Sequence, residues 1–173
     1  MLVFSFLSVS EYPAAPQGVF PGEAKWRMKE GLGVIKEVVR FLRTIRPEQP
    51  LALSPGMYRA AADHCADQAA GRTGHRGSDR SSPGDRLGRY GTWSGLWGEN
   101  IACGKTTARA IILALIIDDG RPARTHRKNI FDPSFNYAGA AFGPHALHGS
   151  VCNINFASRY TERPAKALIG RNF

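Results

Sequence analysis

Cysteine is scarce in this chain, with three among 173 residues: Cys65, Cys103 and Cys152. An odd number cannot pair completely within one chain, and no two stand in the C-x-x-C spacing of a zinc site. A disulfide scaffold is excluded. Cys65 lies among alanines in a helical pattern and is expected to be a small core side chain. Cys103 and Cys152 can bond only if their segments are neighbours, which the sequence leaves open. Long apolar runs are missing too. No stretch approaches the ~18 residues of a membrane-spanning helix, which excludes that class of integral membrane protein. Basic residues are absent before Lys25, so the apolar start Met1–Ser10 lacks the positive flank of a secretory signal. Glu11 and Pro13 separate it from the small pair Ala14-Ala15. Residues 1–21 read as a poor signal peptide or an incomplete first helix.

What is present is ordinary globular material. Apolar residues make up 43% and charged residues 21%, which argues against a mainly disordered chain. The length suits one domain, and such a chain buries about two-thirds of its unfolded surface, so its core needs no staple. The net charge of +9 invites a nucleic-acid partner. Its distribution argues otherwise. Arg72, Arg76, Arg80, Arg86 and Arg89 are scattered through a glycine-rich stretch with Asp79 and Asp85 between them, and Arg159, Arg163, Lys166 and Arg171 gather near the C-terminus. A DNA reader sets such charges along one helix with side chains ready for base edges. Weak adhesion to a polyanion or an anionic membrane surface fits better than specific nucleic-acid binding.

Met28, Leu32, Ile35, Val39 and Leu42 recur at alternating four and three residues, which predicts an amphipathic helix within 22–45 ended by Pro47 and Pro50. Ser54-Pro55 is an N-cap followed by a first-turn proline, opening a second helix with Met57, Ala61, Cys65 and Ala69 as its buried stripe. Residues 71–98 hold eight glycines and read as a long structured loop, with a short helix starting at Ser82-Pro83-Gly84-Asp85. Thr106 can cap a nearly all-aliphatic helix from Ala108 to about Asp118, ended by Gly120 and Pro122. The runs Tyr137–Phe142 and Val151–Phe156 read as an antiparallel hairpin with a long connection. Helices first and strands last predict an α+β layered domain.

One phosphate-binding match fails. Gly104-Lys105-Thr106 resembles the end of a P-loop, but Gly98 is one residue too far upstream and Glu99 takes the place glycine should hold. No nucleotide cofactor is expected. The stronger signal is a set of polar residues at element boundaries: His75 between glycines, Glu99 in Gly98-Glu99-Asn100-Ile101, the pair Asp118-Asp119, and His126 in Arg124-Thr125-His126-Arg127. Neutral imidazoles with carboxylates suit a divalent cation and equally an acid–base pair.

In order and spacing, GHRGSD, DRLGRYG, GENIA, ARAIILALIIDDG, HRKNIFDPSFNYAGAAFGPH and GSVCNINFA resemble the bacterial branch of the CAP superfamily, also called SCP-like. The likeness covers about residues 22–160 and leaves 161–173 as a basic tail. It implies a three-layer α-β-α sandwich around a small antiparallel sheet, with a large open cleft carrying two histidines and two acids. By motif these are His75 and His126, the expected metal ligands, with Glu99 and, in the second acidic place, Asp119. Many members are secreted, and several bind divalent ions or hold sterols and fatty acids in hydrophobic grooves. The Asn-x-x-Arg first helix of the family has no match in residues 1–21. Thr125 stands where this branch often has glycine, a substitution that would strain a left-handed backbone.

Three functions follow as expectations. The leading one is an extracellular or periplasmic protein whose cleft residues His75, Glu99, Asp119 and His126 bind a cation, zinc first, or a small hydrophobic ligand. A hydrolase using the same residues is the alternative. No serine or cysteine stands in a recognisable nucleophile motif, so it would rely on metal-activated water, and the reading leans towards binding. A structural or adhesive module acting through its basic surface is the third.

Overall fold

The computed structural model describes residues 28–164; the expectations for residues 1–21 and for the tail beyond 164 lie outside them. The elements run α1 (Leu32–Thr44), β1 (Ala52–Leu53), α2 (Pro55–Gln68), α3 (Pro83–Tyr90), β2 (Gly91–Cys103), α4 (Ala108–Ile117), α5 (Thr125–Ile130), β3 (Tyr137–His145) and β4 (Gly149–Glu162). The sheet has the order β1-β3-β4-β2. β4 pairs antiparallel with both β2 and β3, whereas the two-residue β1 runs parallel to β3, so the sheet is mixed rather than purely antiparallel.

The layers follow from the two-residue pleat of β4. Cys152, Ile154 and Phe156 point to one face and pack with Ile111 and Leu115 of α4. Val151 and Ala157 point to the other, against Ala61 and Cys65 or Met57 and Ala60 of α2. With both faces covered, every residue from Ser150 to Ala157 is buried. α2 comes close enough to β3 that a Cβ at Gly139 would collide with the backbone of Met57 and Tyr58. Glycine is required there by contact, not by dihedral.

Several boundaries differ from the sequence reading. The glycine-rich stretch is not loop throughout, because α3 ends at Tyr90 and β2 starts at once on Gly91. Trp93 and Trp97 compensate for the glycines by packing edge-to-face at 6.2 Å, with Trp93 donating to the Gly84 carbonyl. The connection between β3 and β4 is only residues 146–148, because both strands extend further than their apolar cores. Thr107, not Thr106, caps α4. β4 continues past residue 160 to Glu162, whose carboxylate accepts from Ser54 Oγ and the Gly56 amide at the start of α2.

The buried side of α1 is also not the expected one. Val34 and Val38 are buried, while Leu32, Val39 and Leu42 are exposed. The helix carries two apolar stripes, and its partners select between them. Phe41 stacks edge-to-face on Phe131, and Arg127 lies over the Phe41 ring while bonding Glu37 through both terminal nitrogens.

Cys103 and Cys152 lie on neighbouring strands but one register step apart, Cys103 opposite Val151 and Cys152 opposite Ala102. Adjacent positions face opposite sides of a sheet, so the two thiols are free.

Candidate functional site

β2 is an edge strand, and the candidate site straddles its free edge. Glu99 and Asn100 are consecutive on it, so their side chains leave by opposite faces. On the first face, Glu99 Oε1 accepts from His75 Nδ1 at 2.8 Å. On the second, Asn100 donates its amide to the His126 carbonyl at 2.9 Å, and its oxygen accepts from Asn129. One dipeptide thus anchors both histidine segments.

His126 stands at the start of α5. The preceding turn passes through two non-glycine residues in the left-handed region, Asp118 at φ 54° and Arg124 at φ 50°. Asp118 in that conformation ends α4 and swings its carboxylate over the start of α5, where no side chain of the Arg124 N-cap does this work. Asp118 Oδ2 accepts from the His126 amide at 2.8 Å and from the Arg127 amide at 3.4 Å. Asp118 Oδ1 accepts from His126 Nδ1 at 2.8 Å. Thr125 is helical, so the expected strain at that position does not arise. Arg124 carries the left-handed turn, and its guanidinium holds Glu30 by two bonds and the carbonyls of Asp118 and Arg121 by one each. Those bonds hold the Glu30 carboxyl down at about 2.

The carboxylate paired with His126 is therefore Asp118, where the sequence reading placed Asp119. The Asp119 carboxylate accepts from the backbone amides of Lys29 and Glu30 at 2.6 and 2.9 Å, tying down the approach to α1. Adjacent aspartates are indistinguishable by type; only the left-handed turn decides which one returns to His126.

The two histidine–carboxylate pairs share a design. An ionised carboxylate only accepts, so Nδ1 carries the proton in both rings and Nε2 keeps its lone pair. Both carboxylates are buried, at 1% side-chain exposure, while His126 is 12% and His75 51% exposed. Both rings line one cleft of about 450 Å³, together with Pro83, Trp97, Thr125 and Asn129. A carboxylate behind Nδ1 with Nε2 left bare is the usual arrangement behind a metal-ligating imidazole.

Arg86, read from sequence as one of several loop charges, is the largest fully buried side chain of the described residues. It donates to Glu99 Oε2 at 2.6 Å and to the carbonyls of His75 and Ser81. His64 and Gln68 of α2 both donate to the Gly74 carbonyl. The loop bearing His75 is thus held by its backbone from two sides. Burial pushes the His64 imidazole below its ordinary value. The capping box Ser82–Asp85 signalled α3, but nothing in the local sequence marks which of its arginines turns inward.

The rejected phosphate loop can be judged again on geometry. A strand leads into Gly104, yet Gly98 and Glu99 lie inside that strand, paired with Phe156 and Asn155. Held extended against β4, these residues cannot form the loop that wraps a phosphate.

No curated protein matches this chain. Among solved structures, an outer surface protein from Borrelia burgdorferi superposes with a TM-score of 0.55 at 15% identity, covering 76% of this chain and 94% of that one. An extracellular protein containing a SCP domain, from Bacillus anthracis, gives a TM-score of 0.53 at 20% identity, over 73% of this chain and 41% of that one. At such identities the likeness speaks for the fold. The sequence itself goes further: the profile of the CAP family, the cysteine-rich secretory protein family, matches residues 39–156, and the chain belongs to that family.

Proposed function

We propose that the cleft is an exchangeable divalent-cation site in a protein that works outside the cytoplasm. The observation that carries this reading is the pair of imidazoles in one cleft, each held through Nδ1 by a buried carboxylate, which leaves Nε2 without a hydrogen-bond partner among the described residues. His75 and His126 would be the ligands, with Glu99 and Asp118 behind them. Two protein ligands leave the remaining positions of a zinc ion to water or an added ligand, which makes the site open rather than structural. A bound ion would supply Lewis acidity to whatever enters. Pro83 and Trp97 give the cleft an apolar wall suited to a small hydrophobic ligand. The location outside the cytoplasm rests on the Borrelia and Bacillus proteins, described as outer surface and extracellular.

Zinc titration by calorimetry on the full chain tests the site. The wild type should bind one equivalent more than the folded His75→Ala/His126→Ala double variant. Equal stoichiometry in the two would overturn the reading. Asp118→Asn should weaken the same binding event by about 10–100-fold, the usual effect of removing the group behind a ligating histidine.

A further inference from the structure

We propose that Cys103, His145 and His148 form a second metal site, for a thiolate-binding transition ion such as zinc, separate from the cleft. Among the described residues they are the one group of three histidines, cysteines or acids whose donor atoms all lie within 4.8 Å of one another. Strand register brings them together. Val151 of β4 lies between Gly143 of β3 and Cys103 of β2, so all three face the same side. His145, two residues beyond Gly143, shares that side. The short 146–148 connection returns His148 beside it, with ring centroids 4.7 Å apart. Cys103 is four residues along β2 from Glu99, about 13 Å at the usual strand rise, so this group is not part of the cleft.

His145 is already set as a ligand would be. It is 2% exposed, and Nε2 donates to the Arg72 carbonyl at 2.9 Å, which fixes the tautomer and leaves Nδ1 as the basic nitrogen. Nδ1 receives only long contacts from the amides of Leu147 and His148, at 3.2 and 3.3 Å. An ion replaces these weak contacts. One thiolate and two imidazoles form a borderline-soft donor set that selects zinc over calcium or magnesium, with a fourth position open to water. Ligands around a tetrahedral zinc stand about 3.3–3.8 Å apart, given its bond lengths, so the group need close by no more than about 1.5 Å. His148 is exposed on the turn and can supply that movement. As the sulfur–metal bond forms, the Cys103 S–H bond breaks and its proton passes to solvent.

Cobalt(II) titration of the full chain, followed by absorbance, separates this site from the cleft, because only a thiolate ligand produces a sulfur-to-cobalt charge-transfer band in the near ultraviolet. The band should saturate at one equivalent in the wild type and persist unchanged in His75→Ala/His126→Ala. It should vanish in Cys103→Ser, and His148→Ala should weaken binding at least tenfold. Absence of the band in the folded wild type overturns the proposal, as does a band that survives Cys103→Ser. Should Cys103→Ser fail to fold, the exposed-turn variant His148→Ala decides: undiminished affinity there also overturns it.

Discussion

On its α4 side, β4 offers Cys152, Ile154 and Phe156 to Ile111, Leu115 and Phe135, an entirely apolar contact. On its α2 side, Asn153 and Asn155 stand between Val151 and Ala157. Asn153 donates to Gln68 Oε1 and approaches Cys65 Sγ, and Asn155 donates to the Met57 carbonyl. Gln68 in turn bonds the Gly74 carbonyl, one residue before His75. The same strand therefore supplies cohesion on one face and orientation on the other. Hydrophobic contact is undirected, whereas a buried hydrogen-bond chain fixes where a loop sits. The His75 loop, with no regular structure of its own, hangs from the polar face.

That contrast can be broken from either side. The largest effect is expected from Leu115→Asp, which sets an unpaired charge in the apolar face; circular dichroism should show no folded, cooperatively melting protein. Next is Arg86→Met, which leaves Glu99 buried with its main cationic partner removed. It should cost about 3–5 kcal/mol in chemical denaturation and also release the His75 loop, lowering zinc affinity in the cleft. Asn153→Ala should cost less, about 1–3 kcal/mol, by leaving Gln68 Oε1 unpaired. NMR should show it disturbing His75 while leaving His126 in place.

The smallest effect is a pH dependence. His64 is buried with its imidazole held below the ordinary value of 6.5, so the native state keeps it neutral where the unfolded chain would protonate it. Its contribution to stability is present above about 6.5 and is lost as pH falls below that. Carboxylates such as Glu37, held low by Arg127, act only further down, as pH passes below their ordinary 4.5. The melting temperature should therefore decline between pH 7 and 5, and the decline should be shallower in His64→Gln.

The apolar face was legible in the sequence and the polar face largely was not. The aliphatic run of α4 and the Ser54-Pro55 start of α2 announce themselves through periodicity and capping, which are local signals. His75, Glu99 and His126 could be singled out by motif, and the structure brings all three to one cleft. Asp118, Arg86 and Gln68 could not, because their roles depend on a left-handed turn or on an inward rotation that tertiary packing decides. The α1 stripe shows the same limit: Val34 and Val38 were no more apolar than Leu32 and Val39, and tertiary packing made the choice.

The place of β4 in the chain has one more consequence. It is the last of the described elements in chain order, and it is the strand that joins β2 to β3. During N-terminal-first synthesis β2 has no strand to pair with, and β3 only the two residues of β1, until β4 has emerged. A chain stopped before Gly149 should stay unfolded, whatever helices it has already produced. The helices and strands made before β4 thus stay open to capture by a chaperone until that strand is in place.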